Sequence, residues 1–187
     1  MMTGSMTAGN GRRWGAWVLA FAAFALVASE PGIPFGPSRL LAVPMTNDPG
    51  GFLNFPWGSS LEGKADLSPP EGGGRVREYD FQRKPLQLGD VPVTSIRLAT
   101  VGGKFARAVV RYQGNDTHQA LVAALQRWFG ALDRTPGQLA AGEEQSLSWR
   151  GPDTEISLTY NVKRERGVLF VESRSLAGQF TEDLGGQ

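Results

Sequence analysis

Alternation with a period of two is clearest over residues 155–162. There Ile156, Leu158, Tyr160 and Val162 interleave with Glu155, Ser157, Thr159 and Asn161. An extended strand sends successive side chains to opposite faces, so this pattern predicts a strand half in a core and half in water. Residues 104–112 repeat it: Ala106, Ala108, Val110 and Tyr112 form the apolar set, and Phe105, Arg107, Val109 and Arg111 the other. Gly102-Gly103, tolerant of positive φ, suits a tight hairpin back to a strand over 93–100. Shorter strands are predicted at 75–81, at 86–88 beyond an Arg83-Lys84-Pro85 turn, at 146–149 and at 168–173.

Helical spacing governs one long stretch. Leu121, Val122, Leu125, Trp128, Phe129 and Leu132 fall on a single face, and Gly130 supplies a C-terminal stop. Asp116, with Gln119 three residues on, has the form of an N-cap in a capping box. Ser59 or Ser60, followed by Glu62, predicts a second and brief helix that the Pro69-Pro70 and Gly72-Gly73-Gly74 cluster ends. Pro136-Gly137 opens a polar loop through Glu143 and Glu144, and the chain beyond Leu176 reads as a polar tail. Runs of strands without alternating helices point to an α+β fold. The expectation is an antiparallel sheet of about six to seven strands covered by one long helix, preceded by an N-terminal apolar helix and a Pro/Gly-rich linker. The boundaries follow as 1–29 for the apolar leader, 30–51 for the linker, 52–176 for the domain and 177–187 for the tail. The linker's prolines remove donors and fix φ, while Ile33, Phe35, Leu40, Leu41 and Val43 offer more apolar surface than a spacer needs.

The leader carries an address. Arg12 and Arg13 precede an apolar run from Trp14 to Ala28 that includes Trp17, Phe21 and Phe24. A basic start, an apolar core and a small-residue exit at Ala28 or Ser29 are the grammar of a secretory signal. As a helix the run rises only about 22 Å at ~1.5 Å per residue, against a ~30 Å hydrocarbon core. It is read as a signal peptide or as an N-terminal membrane anchor made by Arg12, Arg13, Trp14, Trp17, Phe21 and Phe24. In the second case the arginines hold the N-terminus on the cytoplasmic side.

Charge narrows the partners. The 19 Lys and Arg residues against 18 Asp and Glu give +1, and without Arg12 and Arg13 the remainder is slightly acidic. Such a chain lacks the clustered cations that carry nucleic-acid binding, and Lys163-Arg164-Glu165-Arg166 is too broken to supply them. No cysteine is present, which removes disulfides, thiol nucleophiles and Cys-ligated metal.

Catalytic constellations are equally thin. His118 is the only histidine and falls in the first helical turn, where a surface or half-buried position is expected. It has neither a second histidine for metal nor a G-x-S-x-G elbow. Glu78, Asp80, Glu155 and Glu172 lie on predicted strands, and no spacing selects two of them as an acid–base pair. Asp133 and Asp153 sit in turns. Gly72-Gly73-Gly74 and Gly102-Gly103-Lys104 lack the strand–loop–helix setting of a phosphate cradle. Asn115-Asp116-Thr117 matches a glycosylation sequon but is explained by the helix cap. No catalytic residue, metal or cofactor is expected. Trp57 and Trp149 are the residues offered as ligand or partner contacts, while Trp128 is assigned to the core.

Phe52-x-x-x-x-Trp57-Gly58-x-Ser60, the hairpin Gly103-Lys104-Phe105 and Trp149-x-Gly151-x-x-Thr154-x-Ile156-x-Leu158-x-Tyr160 together resemble a family of uncharacterised exported bacterial α+β domains. The resemblance covers residues 52–176 and implies an exported fold without catalytic residues to carry over; Leu53-Asn54-Phe55-Pro56 stands where a glycine is usual. The expected function is therefore a non-enzymatic periplasmic or cell-envelope binding domain that takes a protein partner or small ligand. The alternative is a membrane-anchored accessory subunit of an inner-membrane complex, its domain on the periplasmic side. A small carboxylate-based hydrolase is the remote third reading.

Overall fold

The computed structural model describes residues 42–132, 138–141 and 143–182. The leader, including the expected apolar helix, lies outside these residues, as do 30–41 of the expected linker and the end of the tail. Among the described residues no helix is long and apolar enough to cross a membrane.

In chain order the elements are β1 (Val43–Pro44), β2 (Gly51–Phe52), β3 (Phe55–Pro56), β4 (Val76–Asp80), β5 (Gln87–Leu88), β6 (Val91–Pro92), β7 (Ser95–Val101) and β8 (Lys104–Gln113). There follow α1 (Asn115–Phe129), β9 (Gln138–Ala141), β10 (Glu144–Arg150), β11 (Thr154–Asn161), β12 (Arg166–Ser173) and α2 (Gly178–Glu182). The fold is mixed α+β. Its main sheet runs β1-β10-β11-β12-β8-β7-β4, with β9 also paired to β10. All pairs in it are antiparallel except β1 with β10, which is parallel.

One side of this sheet makes the core. Ile96 and Leu98 of β7, Ala108, Val110 and Tyr112 of β8, Leu147 and Trp149 of β10, Ile156, Leu158 and Tyr160 of β11, and Leu169 and Val171 of β12 belong to one buried cluster. Leu121, Ala124 and Leu125 of α1 join it. At the hairpin end of β8 the pairing with β7 is irregular between Ala99 and Thr100. The extra residue reverses sidedness there, as a β-bulge does. Phe105 enters the main cluster, whereas Ala106 joins Ala99, Val101 and Phe180 in a smaller one. Strict alternation had placed Phe105 and Ala106 the other way round. The turn itself is as expected, since Gly102 and Gly103 have φ of 57° and 78° between Val101 and Lys104.

Several other expectations are corrected. Val43 is buried and β1 pairs with β10, so the end of the expected linker belongs to the domain. Pro44 is compatible with this because it lies on an edge strand. The segment after Ser59 forms turns rather than a helix. The loop predicted before Glu144 contains β9, hairpinned onto β10. The expected tail includes α2, whose Phe180 is buried under the Arg107 guanidinium, 4.1 Å from the ring centre. Finally, Gly114 (φ 98°) rather than Asp116 caps α1, without a side-chain hydrogen bond. Gly114 turns β8 directly into the helix, so Asp116 already lies in the first turn, where its charge suits the dipole.

Candidate functional site

Of the two tryptophans offered as contacts, one is fully buried and the other half-buried. Trp149 is wholly enclosed, and its indole Nε1 donates to the Gly130 carbonyl at 3.0 Å. It can touch no ligand without the core opening. Trp57 is half-buried, its ring 4.8 Å from that of Phe105, and its Nε1 donates to Thr154 Oγ1 at 2.9 Å. Trp128, assigned to the core, packs against it while remaining half-buried. The membrane-anchor residues Arg12, Arg13, Trp14, Trp17, Phe21 and Phe24 lie outside the described residues.

The motif residues meet in space. Gly58 N–H donates to the Phe105 carbonyl and Phe105 N–H to that of Ser59, each at 2.8 Å. Asp48, which sequence reasoning overlooked, completes the group. Its carboxylate accepts from the backbone N–H groups of Gly50, Asp153 and Thr154 and from the Thr154 hydroxyl. Burial pushes this carboxyl up, but the hydrogen bonds outweigh it and leave the group below its usual value. Gly151 is the counterpart, because a Cβ there would collide with the carboxylate. This is a clamp between the chain's entrance and the β10–β11 turn.

His118 is buried, contrary to its expected surface or half-buried position. It lies on the stripe shared with Leu121 and Leu125, a spacing visible in the sequence. Its Nδ1 is 2.8 Å from the Tyr112 hydroxyl and its Nε2 is 3.3 Å from Gln145 Oε1. The ring stacks on Tyr160 at 3.9 Å. Burial lowers the imidazole's pKa, opposed by the Gln145 bond, and burial also raises both tyrosines. The buried Tyr160 hydroxyl has no hydrogen-bond partner among the described residues.

The four carboxylates weighed as acids or bases are each held by an arginine. Arg97 meets Asp80 at 2.9 Å and Glu78 at 3.0 Å, Arg150 meets Glu155 at 2.8 Å, and Arg107 pairs with Glu172. Asp133 lies outside the described residues. Among those described, no group of three or more metal-ligating side chains is present.

The sheet side opposite the core carries these ion pairs, and between them an apolar row. Val109 faces Phe170, and Val168 faces Arg111, across β8 and β12. Val109, Val168 and Phe170 are half-buried and belong to neither core cluster. Beside this row opens a cleft of about 610 Å³ lined by Asp80, Phe81, Lys84, Leu86, Arg97 and Arg111, among others. A smaller apolar groove of about 160 Å³ lies between the β2–β3 turn and the end of α1, lined by Leu53, Leu125 and Trp128 among others. Leu53 is 41% exposed and has φ of 53°.

No protein-family model matches the chain, and neither does any curated protein or solved structure.

Proposed function

We propose that this chain is a non-enzymatic interaction domain of the cell envelope, engaging a protein partner through the sheet side opposite α1. In this reading residues 14–28 deliver it as an export signal, and the α+β unit, with its long helix over one side of the sheet, does the binding. The observation that carries it is the row Val109, Val168 and Phe170, apolar and only partly buried on adjoining strands outside both core clusters. Apolar side chains gathered on a surface and rimmed by charge are the usual mark of a contact surface.

A photo-reactive residue at Val168 or Ser157, compared with one at the exposed Ala123 of α1, tests the surface in producing cells. Adducts to one protein from the sheet positions alone support the reading; equal labelling from all three, or none, overturns it. The intact mass of the protein in soluble-envelope and membrane fractions tests the address. Loss of the first 28 or 29 residues marks export, full length in membranes favours the anchored accessory subunit, and a full-length soluble cytoplasmic protein overturns both.

A further inference from the structure

The cleft beside the apolar row has its own chemistry. Its charged lining is Asp80, Lys84, Arg97 and Arg111. Asp80 is already engaged by two nitrogens of Arg97. Arg97 in turn also meets Glu78, and Glu71 at 3.7 Å. That group is therefore closed, one cation standing among three carboxylates. Lys84 and Arg111 remain: both are exposed, and neither has an ion-pair partner among the described residues. Arg111 is fixed by its place in the ladder, where its backbone carbonyl accepts from both the N–H and the hydroxyl of Thr94. The rest of the lining is apolar through Phe81, Leu86 and Ile96, with Ser95 and Gln82 as uncharged polar groups.

We infer that this cleft binds a small organic carboxylate with an apolar body, its charge at Arg111 and Lys84 and its body against Phe81 and Leu86. A guanidinium presents a planar fork that matches a carboxylate with two parallel hydrogen bonds, and lysine adds a point charge. Its volume falls within the range of small-molecule sites, which are mostly apolar with a few placed polar groups. An inorganic anion uses only the charged part of such a site.

The test titrates the full chain, labelled for arginine side-chain NMR, with phenylacetate, with its uncharged analogue 2-phenylethanol and with inorganic phosphate. Saturable phenylacetate binding is expected, shifting the Arg111 guanidinium signal and weakening as salt is raised. Arg111→Gln and Lys84→Gln, both surface changes checked by unaltered thermal unfolding, are each expected to weaken it by about tenfold. 2-Phenylethanol and phosphate are expected to bind at least about tenfold more weakly than phenylacetate. The inference is overturned if phenylacetate shifts do not saturate, if either analogue binds as well, or if both variants keep the wild-type affinity.

Discussion

The Tyr112 hydroxyl and Nδ1 of His118 lie 2.8 Å apart inside the protein. With Gln145 Oε1 on the other ring nitrogen, only one neutral arrangement satisfies both ends. Tyr112 donates to Nδ1, and Nε2–H donates to Gln145. Protonation at Nδ1 forces the tyrosine to turn from donor to acceptor, in a site that already disfavours charge.

Stability therefore depends on pH in a definite direction. The folded imidazole titrates below its ordinary value of 6.5, so the unfolded chain takes up the proton first. The contribution is complete above about pH 6.5 and is lost as pH falls through the folded value. Urea unfolding across pH 5–8 is expected to show stability falling on the acid side, and His118→Gln to flatten that dependence. The Asp48 carboxyl, also lowered, adds a separate loss only below its ordinary 3.8. An unchanged pH profile in His118→Gln refutes the assignment.

Gly167 is fixed by its neighbour across the ladder. Its pairing with Tyr112 brings the ring over the glycine so closely that a Cβ would overlap it. Gly167→Ala is expected to cost about 1–3 kcal/mol through overpacking, measured by denaturant unfolding. Combined with Tyr112→Leu, the two losses are expected to fall short of their sum.

Removing the Asp48 carboxylate leaves two N–H groups of the β10–β11 turn and the Thr154 hydroxyl without their acceptor. Asp48→Ala is expected to destabilise by about 2 kcal/mol, in the range for hydrogen bonds to a charged group. Limited proteolysis is expected to cut near residues 46–50 sooner than in the wild type. Equal cutting rates would show that the clamp does not hold this segment.

Leu53 occupies the left-handed region that favours glycine. Leu53→Gly is expected to relieve strain worth about 1 kcal/mol or more. A gain in thermal unfolding temperature is the result expected; a loss shows that the side chain's packing along the groove by Trp128 outweighs the strain.

Much of the sheet was legible because its pattern is local. β4, β7, β8, β10, β11 and β12 follow from alternation and turn residues, each within two residues of the expected ends. What failed depends on partners distant in sequence. β1 and the Asp48 clamp form only because the β10–β11 turn, over a hundred positions later, supplies donors and a pairing edge. The sidedness of Phe105 and Ala106 turns on an extra residue against β7, which alternation within one strand cannot register. For the candidate site, the tryptophans drew attention by size, yet size favours burial. Arg111 and Lys84 are distinguished by lacking a partner, a property that exists only once the other charges are placed.

The parallel pairing of Val43–Pro44 with Trp149–Arg150 also has a mechanical meaning. Tension applied ahead of residue 43 does not reach a slack leash. It loads the edge strand, then the bonds from Met45 N–H to Arg150 and Thr46 N–H to Phe129, and next the four bonds of Asp48. The segment leading into the sheet is thus tied to its edge as part of the domain, not strung to it as a spacer.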